Sequence, residues 1–281
     1  MNANLIILAG GASSRMNASL NPLGTNEQQR TSKALIGIDS KGRPILDYLL
    51  LNAKQAGYTN IYLVIGEHAK AFKTYYGDKT LNNEFNGMHI SYAIQYIPKN
   101  RIKPFGTADA LFQALEQHPH LKNETFTVCN SDNLYSIEAF KALIECENSN
   151  AFIAYDREGL NFTMDRIARF ALVLLDNENY LADIVEKPSV EDTGLYMDNE
   201  GKLRVSMNIF KLFGKDIYNH LKNCPVNPER DEKELPTAVL NLCKVKPKSV
   251  KGLLFNEHVP DLTSKEDILI LKKYIEEHYK K

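Results

Sequence analysis

A turn of small residues followed by two basic residues is the part of this sequence best suited to chemistry on a phosphate. Four consecutive apolar residues at 5–8 predict a buried strand, and Ala-Gly-Gly follows directly at 9–11. Glycine allows a ligand to approach the backbone closely, and small residues expose amide groups to an anion. Arg15 and Lys33 add positive charge. The turn therefore suits a nucleoside triphosphate.

Two common phosphate-binding motifs are absent from this turn. It lacks the third glycine of the G-x-G-x-x-G dinucleotide motif and the G-K-[ST] ending of a P-loop. Farther along, Asp132 follows a predicted strand at 125–129, and open α/β sheets bind ligands at the carboxyl ends of their strands. A carboxylate there suits Mg²⁺, which takes phosphate as a further ligand. The alternative is that Asp132 caps a helix.

Composition narrows the class of protein. The 281 residues are 43% hydrophobic and 25% charged, which is typical of globular chains, and the net charge of −1 argues against a nucleic-acid surface. No apolar run approaches the length of a membrane helix, and the chain enters a strand without a leader, so we expect a cytoplasmic protein without a membrane partner. The four cysteines form no C-x-x-C pair, so we expect them in the core.

The elements that must position these residues alternate between strands and helices. An amphipathic helix at 45–56, capped by Gly57, leads to a buried strand at 60–66, which predicts a βαβ unit and a parallel sheet. Further strands are expected at 90–97, 151–155 and 205–210, and further helices at 69–76, 137–147, 232–243 and up to about 279. Two strands at 169–179 and 182–188 are expected to form a hairpin, and the polar segment 16–31 a loop able to close over a triphosphate.

Several motifs in a fixed order resemble those of the sugar-1-phosphate nucleotidyltransferases, also called sugar nucleotide pyrophosphorylases. L-A-G-G-x-x-S-R-M at 8–16 is followed by S-K-A-L at 32–35, G-T-A-x-A-L at 106–111, S-D at 131–132 and V-E-K-P at 185–188. The resemblance implies an α/β fold: a Rossmann-like three-layer arrangement with a mixed, mostly parallel sheet flanked by helices. It also implies a single nucleotidyltransferase domain over 1–281, with a nucleotide-binding half at about 1–155 and a sugar-phosphate-binding half at about 156–281.

The resemblance also implies a role for individual residues. The catalytic cations are Arg15, Lys33 and Lys187. The nucleotide-binding residues are Leu8, Ala9, Gly10, Gly11, Gln95, Gly106 and Thr107. The sugar-binding residues are Glu186 and Asn208, and the metal ligands are Asp132 and Asp261, which hold Mg²⁺. A charge pair at a strand end is the simpler interpretation of 186–187, and a helix cap that of Asp261.

The implied reaction joins an NTP and a sugar 1-phosphate to give an NDP-sugar and pyrophosphate by Mg-dependent in-line transfer, as in nucleotide-sugar biosynthesis. The partners are these small molecules, and homo-oligomerisation stays open. The family's Tyr-Gly is replaced by Phe-Ala at 170–171, and the basic stretch at 99–103 is longer than in the family. Two alternatives therefore remain: a cytidylyl- or guanylyltransferase acting on a polyol, amino-alcohol or molybdopterin phosphate, and a non-catalytic paralogue that senses nucleotide sugars. The base and the acceptor are left open.

Overall fold

A mixed sheet runs through the computed structural model, which describes residues 3–11, 32–167, 170–185 and 193–279. Ten strands form the sheet within these ranges. They are β1 Ala3–Leu8, β2 Tyr58–Gly66, β3 Asn83–Phe85, β4 Met88–Gln95, β5 Thr125–Asn130, β6 Ala151–Asp156, β7 Leu172–Leu175, β8 Leu181–Val185, β9 Arg204–Phe213 and β10 Lys251–Phe255.

The strand order is β10-β6-β9-β5-β1-β2-β4-β3, with the β7–β8 hairpin attached to β9. β1 pairs in parallel with β2 and β5, β2 with β4, and β6 with β10. β9 is antiparallel to both of its neighbours β5 and β6. The expected α/β fold with a mixed, mostly parallel sheet is thus confirmed.

Helices cover both faces of the sheet. They are α1 Ile45–Ala56, α2 Lys70–Tyr76, α3 Thr107–Gln117, α4 Ile137–Glu145, α5 Met164–Ile167, α6 Gly214–Lys222, α7 Leu235–Val245 and α8 Glu266–His278. Side chains alternate along β1: Leu5 and Ile7 join the core under α1, α2, α4 and α8, whereas Ile6 and Leu8 join the core under α3, α6 and α7. The helices on the two faces of the sheet therefore bury β1 on both sides, as its apolar run predicts.

The local predictions agree with these elements to within a few residues. Helix α1 has the predicted bounds, and Gly57 ends it in the left-handed conformation, at φ 110°. The first hairpin strand is shorter than expected, because the polar turn starts at Asp176, whose carbonyl accepts from Asn179 N. The second begins at Leu181 as expected to within one residue, and the end expected for it lies outside the described residues. Helices α5 and α6 and strands β3 and β10 were not predicted. Among the described residues, no helix is long and apolar enough to cross a bilayer.

Candidate functional site

A cleft of about 460 Å³ opens at the carboxyl ends of β1 and β5. Parallel strands end at the same edge, so this is where an open α/β sheet presents ligand-binding loops. Its lining unites all seven nucleotide-binding residues expected from the sequence. The lining residues are Leu8, Ala9, Gly10, Gly11, Ser32, Lys33, Gln95, Ile102, Lys103, Pro104, Gly106, Thr107, Ala110, Asn130, Ser131, Asp132 and Glu232.

Gln95 ends β4 and is held in one orientation. Its side-chain nitrogen donates to Gly106 O at 3.0 Å and to Asp109 Oδ2 at 3.2 Å. Because both partners are acceptors, the side-chain oxygen must point the other way, toward Gly10. A Cβ at Gly10 would lie 2.8 Å from that oxygen, so glycine is needed there to make room for Gln95. Gly11 has open space around its Cβ position.

The loop before α3 is held by backbone hydrogen bonds to a segment that is distant in the sequence. Gly106 has φ 102°, and a Cβ there would collide with Lys233 O. Lys233 N donates to Phe105 O at 2.7 Å, and Ala108 N donates to Lys233 O at 2.9 Å. The Thr107 hydroxyl accepts from Leu235 N at 2.9 Å. Gly106 and Thr107 therefore fix this loop against the start of α7.

Lys33 and Asp132 meet in the cleft. Lys33 begins a 3-10 helix, Lys33–Leu35, and its Nζ lies 3.7 Å from Asp132 Oδ2. The Lys33 and Asp132 side chains are 14% and 30% exposed. Burial raises the pKa of Asp132, the charge of Asp261 raises it further, and Lys33 opposes both. Asp132 does not cap α4, whose N-cap is Ser136.

Asp261 lies beside Asp132 because two loops are joined by their backbones. Asn133 and Asp261 form an antiparallel bridge, and Leu262 N donates to Asp132 O at 2.8 Å. The Asp261 side chain is 11% exposed. Its Oδ1 accepts from the Thr263 hydroxyl at 2.7 Å, and its Oδ2 lies 2.8 Å from Arg166 Nη2.

The alternative that Asp261 caps α8 is not supported by these contacts. The N–H groups of Thr263 and Ser264 instead donate to Asp267 Oδ2, at 2.8 and 2.7 Å. Although burial opposes it, hydrogen bonds from Arg166 and from these N–H groups keep the pKa of Asp267 below its usual value. Asp267, in the first turn of α8, thus binds the residues that precede the helix, and Asp261 remains beside the Asp132 loop.

Asn208 lies on β9 in a backbone conformation that is unusual for a residue with a side chain. Its φ is 57°, at an interruption of the β6–β9 register. The adjacent Ile209 pairs with Cys129 of β5, so Asn208 lies near the carboxyl end of β5. Non-glycine residues in this conformation are uncommon and cluster at ligand sites, although asparagine adopts it more readily than most residues. The prediction that Asn208 contacts a sugar stays a prediction.

Three of the predicted site residues, Arg15, Glu186 and Lys187, lie outside the described residues, as does the loop expected at 16–31. The sequence did not point to Arg166, which joins Asp261 to Asp267. No local pattern could have found it, because its partners lie about a hundred positions away. Ile102, Lys103 and Glu232 were also missed as lining residues. The long basic stretch at 99–103 was the only signal for the first two, and Glu232 was predicted only as the start of a helix.

The donor set of the cleft suits a hard divalent cation. Asp132 and Asp261 are adjacent carboxylates, and the charge of Asp261 raises the pKa of Asp132. A cation bound between them would offset this repulsion. Each carboxylate has lone pairs beyond those engaged by Lys33, Arg166 and Thr263. Within the described ranges there is no group of three or more His, Cys, Asp or Glu side chains that could hold a metal. A site with two carboxylates suits Mg²⁺, because this ion takes its other ligands from water and substrate phosphates.

Known proteins share this sequence pattern and fold. The bifunctional protein GlmU of Methanocaldococcus jannaschii is 24% identical over 270 residues, covering 96% of this chain and 53% of that protein. GlmU of Thermodesulfovibrio yellowstonii is 26% identical over 230 residues, covering 82% and 42%. The chain thus spans about half the length of these curated relatives.

A solved structure of UDP-glucose pyrophosphorylase complexed with UDP-glucose matches with a TM-score of 0.72 and 16% identity, covering 99% of both chains. That similarity confirms the fold. The family model described as nucleotidyl transferase matches residues 4–238. Since this match covers most of the 281 residues and includes the Lys33–Asp132 cleft, the chain belongs to the nucleotidyl transferase family.

Proposed function

We propose that this chain transfers a nucleotidyl group from an NTP to a sugar 1-phosphate, forming an NDP-sugar and pyrophosphate. The observation that carries the proposal is the meeting of Lys33 and Asp132 in a cleft that is also lined by the Gly10 and Gly11 backbone and by Gln95. A cation, a carboxylate and a glycine turn are the groups that a bound triphosphate and its metal require. Membership of the family supports the same reaction type.

The substrates supply the reacting groups themselves. A phosphate oxygen of the acceptor attacks the α-phosphorus of the NTP, the bond from that phosphorus to the bridging oxygen breaks, and pyrophosphate leaves. The protein therefore needs no nucleophile of its own, and its tasks are to align the reactants and to neutralise their charge. We assign the triphosphate to Lys33 and Arg15 and the incoming phosphate to Lys187.

Asp132 and Asp261 are the residues that would hold Mg²⁺, which when bound supplies positive charge at the α-phosphate. Lys33 and Arg166 orient the two carboxylates, because each carboxylate has a cationic partner among the described residues. The raised pKa of Asp132 means that acid weakens the site by protonating a ligand.

The two substrates are assigned to different parts of the chain. Residues up to about 155 provide the nucleotide side, where Gln95, Gly106 and Thr107 receive the base. Residues from about 156 provide the acceptor side, where Glu186 and Asn208 contact the sugar hydroxyls. We assign the reaction to the cytoplasm, where nucleoside triphosphates are available.

Pyrophosphate release tests the proposal. The purified chain is incubated with Mg²⁺, each of ATP, CTP, GTP, UTP and dTTP, and a panel of phosphates that includes glucose 1-phosphate, N-acetylglucosamine 1-phosphate, polyol phosphates and choline phosphate. Release that requires one NTP and one sugar 1-phosphate together supports the proposal. Release only with a polyol or amino-alcohol phosphate would show that the acceptor is of that class and is not a sugar 1-phosphate. Nucleotide binding without release would indicate a sensing paralogue.

A further inference from the structure

Ile102 is an apolar side chain that is almost fully exposed, at 93%, on the rim of the cleft. Single exposed apolar residues are common on protein surfaces, so the exposure alone says little. Ile102 differs in two respects from the exposed Leu269 of α8, which is 74% exposed and lines no part of the cleft. Its loop is anchored on both sides, and the residue lines the same cleft as Gln95.

The anchor before Ile102 is Arg101. Its guanidinium group lies 2.9 Å from Asp231 Oδ2, and its Nη1 donates to Asp231 Oδ1 at 3.1 Å. The same group stacks on Phe105, with its Cζ 4.0 Å from the ring centroid. The Arg101 side chain is only 11% exposed. The chain is therefore fixed one residue before Ile102.

The anchor after Ile102 is Lys103, whose Nζ donates to Arg230 O at 2.7 Å and lies 3.6 Å from Glu232 Oε1. Ile102 is thus held between two side chains that bind the same segment, 230–232. Ordering a side chain on a fixed backbone costs less conformational entropy than ordering a whole loop. The backbone on both sides of Ile102 is therefore anchored.

The cleft that Ile102 lines offers both apolar surface and polar acceptors. Leu8, Pro104 and Ala110 contribute apolar lining, and the side-chain oxygen of Gln95 points toward Gly10. A nucleobase has two apolar faces and a polar edge with N–H groups. Its faces match the apolar lining, and its edge matches the Gln95 acceptor.

We propose that Ile102 covers one face of the bound nucleobase and so contributes to the affinity for the nucleotide. The inference rests on the proposed function. Ile102 excludes water from the base but does not reach the phosphates, so its contribution depends on the base and is absent for a ligand that consists of phosphate alone. The basic stretch 99–103 thereby has a role: its charged residues anchor the loop, and its isoleucine contacts the ligand.

Isothermal titration of Ile102→Ala tests the proposal, with ATP, CTP, GTP, UTP, dTTP and inorganic tripolyphosphate as separate probes in the presence of Mg²⁺. The expected result is a Kd about tenfold higher for the nucleotide that wild type binds most tightly, with tripolyphosphate affinity unchanged. Ile102→Leu should bind the same nucleotide within about threefold of wild type, because it retains the buried carbons. Leu269→Ala is the matched control and should bind every probe like wild type.

Equal nucleotide affinity in Ile102→Ala and wild type would overturn the inference while leaving the proposed function intact. An equal loss for tripolyphosphate would also overturn it, because Ile102 would then act on the phosphates or on the cleft as a whole. If wild type bound tripolyphosphate but none of the five nucleotides, the proposed function would fail first, and this inference with it.

Discussion

Substitution of Gly10 by alanine tests whether the cleft is shaped by Gln95. The new Cβ would lie 2.8 Å from the Gln95 side-chain oxygen, closer than a carbon and an oxygen normally approach. Gln95 is buried, and its nitrogen is held by Gly106 O and Asp109, so it cannot retreat without losing hydrogen bonds. Overpacking of this kind costs about 1–3 kcal/mol of unfolding free energy. We expect nucleotide affinity to fall about tenfold as the acceptor moves, equivalent to about 1.4 kcal/mol.

A double-mutant cycle isolates that contact. The other atoms near the Cβ, Gln95 Cβ at 3.5 Å and Gly66 N at 3.7 Å, are at ordinary distances. Gly10 is also outside the left-handed conformation, so alanine is allowed there. In a Gln95→Ala background, Gly10→Ala should therefore be neutral, or stabilising by about 0.4–1 kcal/mol, because alanine lowers the conformational entropy of the unfolded chain.

The assay is urea unfolding followed by far-UV circular dichroism, because the chain contains no tryptophan. Four proteins are compared: wild type, Gly10→Ala, Gln95→Ala and the double variant. A coupling of about 1.5–3 kcal/mol between the two sites supports the assigned geometry. Equal destabilisation by Gly10→Ala in both backgrounds would refute it.

Three further predictions follow from the described contacts. Lys33→Met should lower kcat/KM for pyrophosphate release by about 10²–10³-fold, and a loss under tenfold would exclude Lys33 from the reaction. Arg166→Met should lower the unfolding free energy by about 2–3 kcal/mol in urea, because Asp261 and Asp267 lose their cation; an unchanged midpoint would contradict this. Burial and nearby Arg166 lower the pKa of His258 to about 4, so its contribution to stability is complete above pH 6.5 and is lost as the pH falls toward 4. Wild type should thus lose about 2 kcal/mol more than His258→Gln between pH 7 and 4.5 in urea unfolding, allowing for partial solvent screening; equal losses would contradict the assignment.

Elements with a strong local pattern could be predicted from the sequence. The apolar spacing of α1 and the glycine that ends it set its bounds, and the apolar run of β1 indicated burial on both faces. Helix α6 was missed because it begins with glycine and contains few apolar residues. Strand β10 was missed because it contains Gly252; a Cβ there would lie 2.9 Å from Leu175, so the packing of the β7–β8 hairpin explains the glycine.

Residues of the site could be predicted only where they belong to a recognisable sequence motif. The order of the motifs indicated that Lys33, Asp132 and Asp261 share a site, and the structure brings Lys33 to Asp132 and Asp261 to the adjacent loop. The contacts that hold these groups are non-local. Arg166 reaches Asp261 from the β6–β7 connection, and Lys233 exchanges backbone hydrogen bonds with the loop before α3. Backbone pairing of this kind depends on the folded path and has no local sequence signal.

The fate of the α-phosphate tests the central claim most directly. An NTP labelled at that position is incubated with Mg²⁺, the protein and the sugar 1-phosphate that supports pyrophosphate release, and the products are separated. We expect all transferred label in the NDP-sugar, none without the acceptor, and a loss of at least about a hundredfold in Asp132→Asn, as for removal of one stabilising group. Label released as nucleoside monophosphate without acceptor, or full transfer by Asp132→Asn, would contradict nucleotidyl transfer at this cleft.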